Sequence, residues 1–232
     1  AAALVNPQFL PQGHPLHGLC GVGTAYQLAR ALLGEFGRGD QAAELLDLVA
    51  LGTLADVADL GGDNRPLVQL GLRRMREQPR PAFQAILEQA GSTAGSPMDE
   101  VIGFTIAPRL NAVGRLDDAN PMVAFLLESD LHSARTTAAR LEGLNAHRKM
   151  LGDQVYQAAR AQLESEPELA ERAAVVLSHP AWPGGVVGIV AGRLAELLHR
   201  PVLLLTAPPD GPARGSVRSI EGVDITAAIA EN

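Results

Sequence analysis

DLHSARTTAARLEGLNAHRKMLGDQVYQAARAQLES, residues 130–165, holds no proline and only two glycines, Gly143 and Gly152. Leu131, Ala134, Ala138, Leu141, Leu144, Leu151, Val155 and Ala158 recur at three- and four-residue steps, the spacing that puts side chains on one face of a helix. An unbroken helix of 36 residues would run about 54 Å at ~1.5 Å per residue. So long a helix does not fit inside one small core, and the stretch reads as a connector between two domains.

On either side of it the pattern differs. The preceding residues read as helices punctuated by glycine and proline: 21–33, with Leu28, Leu32 and Leu33; 42–51, stopping at Gly52-Thr53; Asn64–Glu77, with Leu67, Leu70 and Met75 opposite Arg73, Arg74 and Arg76; then 82–90 and 97–106. After Pro167, AAVVL (173–177) is a short strand run, 186–198 is helical, VLLL (202–205) is a buried strand and 213–220 is a further strand candidate. Asp224 caps a last helix over 225–230. The strand–helix–strand order implies a small α/β unit, and the expected fold class is α/β.

Of the 232 residues 47% are hydrophobic and 19% charged, enough for a real core and incompatible with a disordered or collagen-like chain. A single cysteine, Cys20, excludes an internal disulfide framework and any cysteine zinc cluster, and fits a reducing, cytoplasmic setting. No apolar run approaches the ~18–20 residues of a membrane span, and the first ten residues carry no basic stretch of the kind that opens a secretory signal.

The net charge of −7 argues against a polyanionic partner until its distribution is considered. Residues 40–63 contain six acids (Asp40, Glu44, Asp47, Asp56, Asp59, Asp63) and no Lys or Arg, whereas 103–115 and 211–220 contain arginines and no acid. An acidic segment beside separate arginine stretches suits a metal-dependent enzyme acting on phosphates, although an ordinary mosaic surface has the same look. Nearly all the basic residues are arginine, Lys149 being the one lysine; the guanidinium fork suits phosphate, and codon bias explains the skew equally well.

Five motifs bear on chemistry. The glycines of GLCGVGT (18–24) lack the order of a phosphate loop and fit close helix packing better. Asp56, in LDLVALGTLADVADL (46–60), is a carboxylate in an apolar stretch expected near the core; on the residues alone, capping the next turn is the preferred reading. PRLNAVGR (108–115) reads as a loop holding Arg109, Asn111 and Arg115 with no acid nearby, a good oxyanion clamp or a set of surface ion pairs. GGVVGIVAG (184–192) puts glycines, Gly185 among them, at the start of a helix after a strand, equally an anion site or a close helix–sheet contact. Arg214, Ser216 and Arg218 alternate, so on a strand they share one face.

Taken in order, VNP (5–7), LCGVGTAYQLA (19–29), LDLVALGTLADVADL, IAPRLNAVGRL (106–116), LNAHRK (144–149), GGVVGIVAGRL (184–194) and GSVRS (215–219) resemble the RecJ family of the DHH phosphoesterase superfamily, single-strand-specific 5′-to-3′ DNA exonucleases. The resemblance runs from Val5 to Ile225. It implies the helical C-terminal part of a DHH phosphoesterase domain over 1–129, the connector helix over 130–165 and an incomplete, small α/β DHH-associated domain over 166–232.

By the same resemblance the TLAD aspartate, Asp56, ligates one of a catalytic Mn²⁺ or Mg²⁺ pair, which reverses the capping reading. Arg109, Asn111, Arg115, Gly185, Ser216 and Arg218 would lie along the DNA phosphates. Single-stranded DNA is then the partner, a helicase and a single-strand-binding protein are candidate partners, and DNA repair and recombination the setting. A non-catalytic nucleic-acid-binding relative of the same fold, or a small-nucleotide phosphodiesterase, are the alternatives.

The chain departs from the family pattern in three places. The Asp-His-His motif would lie ahead of residue 1 and the Gly-Gly-His stretch after the last helix, which marks the chain as an internal piece and leaves most metal ligands upstream. Trp182-Pro183-Gly184-Gly185 stands where the family reads Trp-His-Pro-Gly. His14 and His17, in the proline-rich start, do not read as ligands.

Overall fold

A computed structural model describes residues 4–92 and 96–231. The element order is α1 (Gly21–Glu35), α2 (Leu46–Ala55), α3 (Asn64–Glu77), α4 (Pro81–Gln89), α5 (Met98–Val101), α6 (Ala107–Leu116), α7 (Pro121–Leu126), α8 (Leu131–Ser165), α9 (Glu168–Glu171), β1 (Val175–Ser178), α10 (Gly184–Leu198), β2 (Val202–Thr206), β3 (Arg214–Arg218) and α11 (Ile225–Ala230). The protein is mostly helical with one small sheet. Among the described residues no helix is long and apolar enough to cross a membrane.

The chain forms two compact units. One comprises Ala1–Asn111 and Ala119–Glu142, the other Ala112–Asp118 and Gly143–Asn232. The stretch expected to be a connector forms one helix, α8, and the division between the units falls inside it: residues up to Glu142 belong to the first unit and those from Gly143 to the second. Its buried positions are Ala134, Ala138, Leu141, Asn145, Gly152, Val155 and Ala159, with Arg148 half-buried between Asn145 and Gly152. The steps alternate four and three. Ala158, expected on this stripe, is exposed, and the polar Asn145 takes a place the hydrophobic pattern did not mark.

In the first unit α2 and α3 make the central contact. Asn64, Val68, Gly71 and Met75 form the buried face of α3, while Leu70, expected there, is exposed. Position 71 has no room for a side chain: a Cβ would run into the Leu46 carbonyl and the Ala50 methyl. Gly52 does the same for α1, where a Cβ would meet Val22. Of the glycines in 18–24 only Gly23 is tightly surrounded, by the Leu19 side chain; Gly18 and Gly21 border open space. Gly52 does not end α2, which continues through Thr53 and Leu54 to Ala55. Asp47 of α2 is wholly buried and held by the Arg80 fork, whose Nη2 also donates to the Glu44 carbonyl. One of the six acids of 40–63 is therefore neutralised inside the protein.

PRLNAVGR is not a loop. Residues 98–116 are continuously helical, with Ile102–Ile106 in the wider π form and the Ala107 N–H donating to the Ile102 carbonyl five residues back. Pro108 has no N–H to give and its ring crowds the carbonyl four residues earlier; the widened turn just before it relieves that conflict, so the helix survives the proline.

In the second unit β1 pairs parallel with β2, Val175 opposite Val202, and β3 closes the sheet antiparallel, Ser216 opposite Leu204. α10 is the crossover, its apolar face (Val186, Val187, Val190, Ala191, Leu194) packed with Val175, Leu177, Val202 and Leu204 and with Val155 and Ala159 of α8. His199 ends α10 in the left-handed conformation, and the Asp224 carboxylate accepts from the Ala227 N–H (3.0 Å), capping α11 as the sequence implies. Gly71→Ala is expected to lower stability by about 1–3 kcal/mol, because the methyl must displace backbone; urea unfolding checks it.

Candidate functional site

Asp56 is the first residue past α2, its N–H donating to the Gly52 carbonyl (3.0 Å). It is exposed, not near the core as expected, and caps no following turn. No hydrogen bond or ion pair engages its carboxylate among the described residues. A negative charge at the carbonyl end of a helix is disfavoured by the helix dipole, and an adjacent cation would offset that.

The chain leaves Asp56 through a Schellman turn, Val57 N–H to the Leu54 carbonyl (3.2 Å) and Ala58 N–H to the Thr53 carbonyl (3.1 Å). Its left-handed position is usually glycine; here it is Val57, at φ 53° and almost fully exposed. Asn64, buried, ties the turn down: its Nδ2 donates to the Asp59 carbonyl (2.7 Å) and to the Gly18 carbonyl (2.8 Å). Thr53, also buried, shares a hydrogen bond with Cys20 Sγ (3.5 Å). Among the described residues no three His, Cys, Asp or Glu come together to hold a metal. Asp56 suits one ligand of a metal site; the residues present do not make up a full set.

The arginines of α6 differ from one another. Arg109 turns inward in the first unit, its Nε donating to the Glu142 carboxylate and its Nη1 to the Thr105 carbonyl (2.8 Å). The absence of acids near it holds along the chain and fails in space, because α8 supplies one. Asn111 and Arg115 are four residues apart on exposed positions of α6.

Arg115 belongs to the second unit, where its Nη1 donates to the Gly185 carbonyl (3.2 Å). A side chain at Gly185 would collide with the Arg115 carbonyl. Gly188, one turn on, faces β3: a Cβ there would lie 3.0 Å from Ser216 Oγ and 3.2 Å from Arg218 Nη2. The helix–sheet packing reading of this glycine stretch therefore holds at Gly188, while Gly184 borders open space. Ser216 is half-buried and Arg218 exposed, with Nη1 on the Val217 carbonyl (2.7 Å) and no carboxylate partner among the described residues. Arg115, Gly185, Ser216 and Arg218 thus sit in one unit around α10. Burial, and secondarily the charge of Arg115, push the Arg148 guanidinium of α8 below its ordinary pKa.

Sequence reasoning gave no role to Asn64, Glu142, Asn145 and Arg148, although the last two lie in the LNAHRK stretch. The signal for the last two was there: extending the four–three stripe of α8 from Ala138 and Leu141 lands on 145 and 148.

No protein-family model matches the chain. It is 37% identical over 230 residues to the single-stranded-DNA-specific exonuclease RecJ of Bacillus subtilis, covering 99% of this chain and 28% of that protein. It superposes on a crystal structure of the exonuclease RecJ bound to manganese with a TM-score of 0.77 and 33% identity, over 97% of this chain and 54% of the other. A structure of RecJ in complex with Mg²⁺ from Thermus thermophilus matches with a TM-score of 0.75 and 33% identity, over 91% and 32%. The chain therefore spans between a quarter and a little over half of these relatives, and within that span it resembles RecJ in both sequence and fold.

Val57→Gly is expected to raise stability by about 1 kcal/mol, since glycine enters the left-handed region without the clash of a β-branched side chain. Thermal unfolding measures the gain, and an unchanged or lowered midpoint would contradict the account of the turn.

Proposed function

We propose that this chain serves in a metal-dependent, single-stranded-DNA-specific 5′-to-3′ exonuclease of the RecJ kind, acting in the cytoplasm in DNA repair and recombination. The observation that carries the reading is similarity to RecJ along nearly the whole chain, with Asp56 exposed and unpaired in the motif that the resemblance marks as a metal ligand. On this reading residues 1–129 are the C-terminal part of a phosphoesterase domain, 130–165 a connector and 166–232 a DHH-associated domain. A helicase and a single-strand-binding protein are its partners.

Asp56 would contribute one ligand to a Mn²⁺ or Mg²⁺ pair, whose other ligands belong to the part of the relatives outside the matched span. The pair would supply an activated water and steady the leaving oxygen. What this chain's own residues do is hold the strand. Arg115 and Arg218 offer guanidinium charge unopposed by a paired acid, Ser216 adds a hydroxyl beside Arg218, and Gly185 lets α6 approach the first turn of α10. Asn111 adds an amide on the Arg115 face. Arg109, engaged with Glu142, reaches a phosphate only by sharing that partner.

In the whole protein Asp56→Ala is expected to abolish cleavage while leaving folding and strand binding intact; full turnover at saturating Mn²⁺ would remove the metal assignment. The 232-residue chain alone is expected to show no Mn²⁺-dependent digestion, because one carboxylate cannot hold two ions. Arg218→Ala should flatten the log–log dependence of affinity on salt by about 0.7, and Ser216→Ala, which removes no charge, should leave the slope in place and cost less affinity. Oligonucleotides with 5′-phosphate and 5′-hydroxyl ends separate the targets: a larger Arg218→Ala loss on the phosphorylated end marks end recognition, and equal losses mark a general backbone contact.

A further inference from the structure

The second half of α10 and the turn after β3 border a cleft of about 430 Å³. Gly192, Glu196 and His199 line it from the helix side, Arg218, Ile220 and Glu221 from the strand and turn, all within the second unit. Local structure sets these walls. Ser219 Oγ donates to the Val223 carbonyl (2.8 Å) and the Val223 N–H to the Ile220 carbonyl (3.3 Å), with Gly222 at φ 82°, so the turn that carries Ile220 and Glu221 is closed on itself. His199 holds the left-handed position at the end of α10, where glycine is usual, and so lends the cleft an imidazole where most helices end without a side chain.

The charges around the cleft do not cancel. A Cβ at Gly192 would lie 3.9 Å from Arg218 Cγ and one at Gly188 3.2 Å from Arg218 Nη2. The stem of Arg218 therefore rests against the wall, while its guanidinium reaches back one helical turn to the level of Gly188 and Ser216. Among the described residues no cation pairs with Glu196 or Glu221 and no carboxylate with Arg218. Two carboxylates repel a phosphate, and the groups they accept from are N–H donors. A nucleotide carries both kinds of group, a phosphate and, on adenine, cytosine and guanine, an exocyclic amine. Gly188 and Gly192 are about 6 Å apart along α10 at ~1.5 Å per residue, the step that a sugar makes between a phosphate and its base. Thymine has no amine, and its one ring N–H lies between two carbonyl oxygens that a carboxylate repels.

We infer that this cleft takes the base of the nucleotide whose phosphate Arg218 holds, and that it prefers a base with an exocyclic amine over thymine. The inference rests on the exonuclease reading and adds base selectivity to it. Glu196 and Glu221 accept from the amine, a pairing that carboxylates make with cytosine in DNA readers generally. Ile220 and His199 border the ring.

The test is the affinity of the whole protein for oligodeoxycytidylate and for oligothymidylate of equal length, both 5′-phosphorylated, measured in EDTA at neutral pH. The wild type is expected to bind the cytosine strand on the order of tenfold more tightly, the effect of one hydrogen bond to a charged acceptor. Glu196→Gln combined with Glu221→Gln keeps the shape and adds N–H groups that a thymine carbonyl accepts, so the two affinities are expected to converge. Both side chains are exposed, and the fold does not depend on them. Equal affinities in the wild type, or a preference that survives the paired substitution, would overturn the cleft. So would an equal rise on both strands, the mark of acids that merely repel phosphate. If Arg218→Ala weakens binding of both strands in those cases, the exonuclease reading stands without the cleft; if it leaves both untouched, that reading falls with it.

Discussion

A methyl group at position 71 would occupy the space of the Leu46 carbonyl, so α2 and α3 reach their observed separation only because Gly71 has no side chain. Much of the first unit depends on that approach. It fixes the line of α2, buries Val49, Ala50, Leu51 and Thr53, and so determines where the helix ends and Asp56 emerges. Asn64, at the start of α3, then holds the turn beyond Asp56 through the Asp59 carbonyl and ties it to the Gly18 carbonyl. The second unit uses the same constraint. Gly185 admits the Arg115 backbone, Gly188 admits Ser216 and Arg218, and Gly215 admits the Leu204 carbonyl of the neighbouring strand. The candidate phosphate residues are placed by side chains that are missing.

The charges divide by what burial does to them. Asp47 and Arg109 are internal or nearly so, and each has found an opposite charge, Arg80 for one and Glu142 for the other. Breaking such a pair strands a charge in a medium that solvates it poorly, which makes the pairs structural whatever else they do. Asp56, Arg115, Arg148 and Arg218 have no such partner among the described residues. A carboxylate without a cation at a helix C-terminus and guanidiniums without a carboxylate in the second unit have opposite unmet needs. A cation and a polyanionic strand are the ligands that would meet them.

Helices with an apolar face and the strand–helix–strand order of the last third were legible along the chain, because helix and sheet periods differ and because β-branched runs stand out between glycines and prolines. Asn64–Glu77 came out with its bounds intact, but its buried face did not: Leu70 looked like core and Gly71 did not, since hydrophobicity cannot report that two backbones touch. PRLNAVGR has the look of a loop because proline and glycine normally break helices, and nothing local announces a π turn that absorbs the proline. The acidic and arginine segments were visible, yet which of their members would be neutralised was not. Arg109 and Glu142 are 33 residues apart, as are Asp47 and Arg80, and only folding brings them together. Asp56 was singled out by the residues, but its exposure and the unusual backbone beside it were not.

Three local rules are broken in this chain, and each break adjoins a residue of the proposed site. A β-branched residue takes the left-handed turn position directly after Asp56; a proline stands inside a helix directly before Arg109; an asparagine and an arginine occupy successive places on the buried stripe of α8, within reach of the charge of Arg115. Any one of them could be an accident of packing. A chain selected for stability alone would replace Val57 with glycine and the polar pair with leucine, because both changes remove a cost and need no rearrangement elsewhere. Such costs are kept where backbone direction or unspent hydrogen-bonding capacity serves a ligand. Two of these departures adjoin Asp56 and Arg148, which the charge argument also leaves without an opposite charge, and the third adjoins Arg109, whose charge Glu142 already meets.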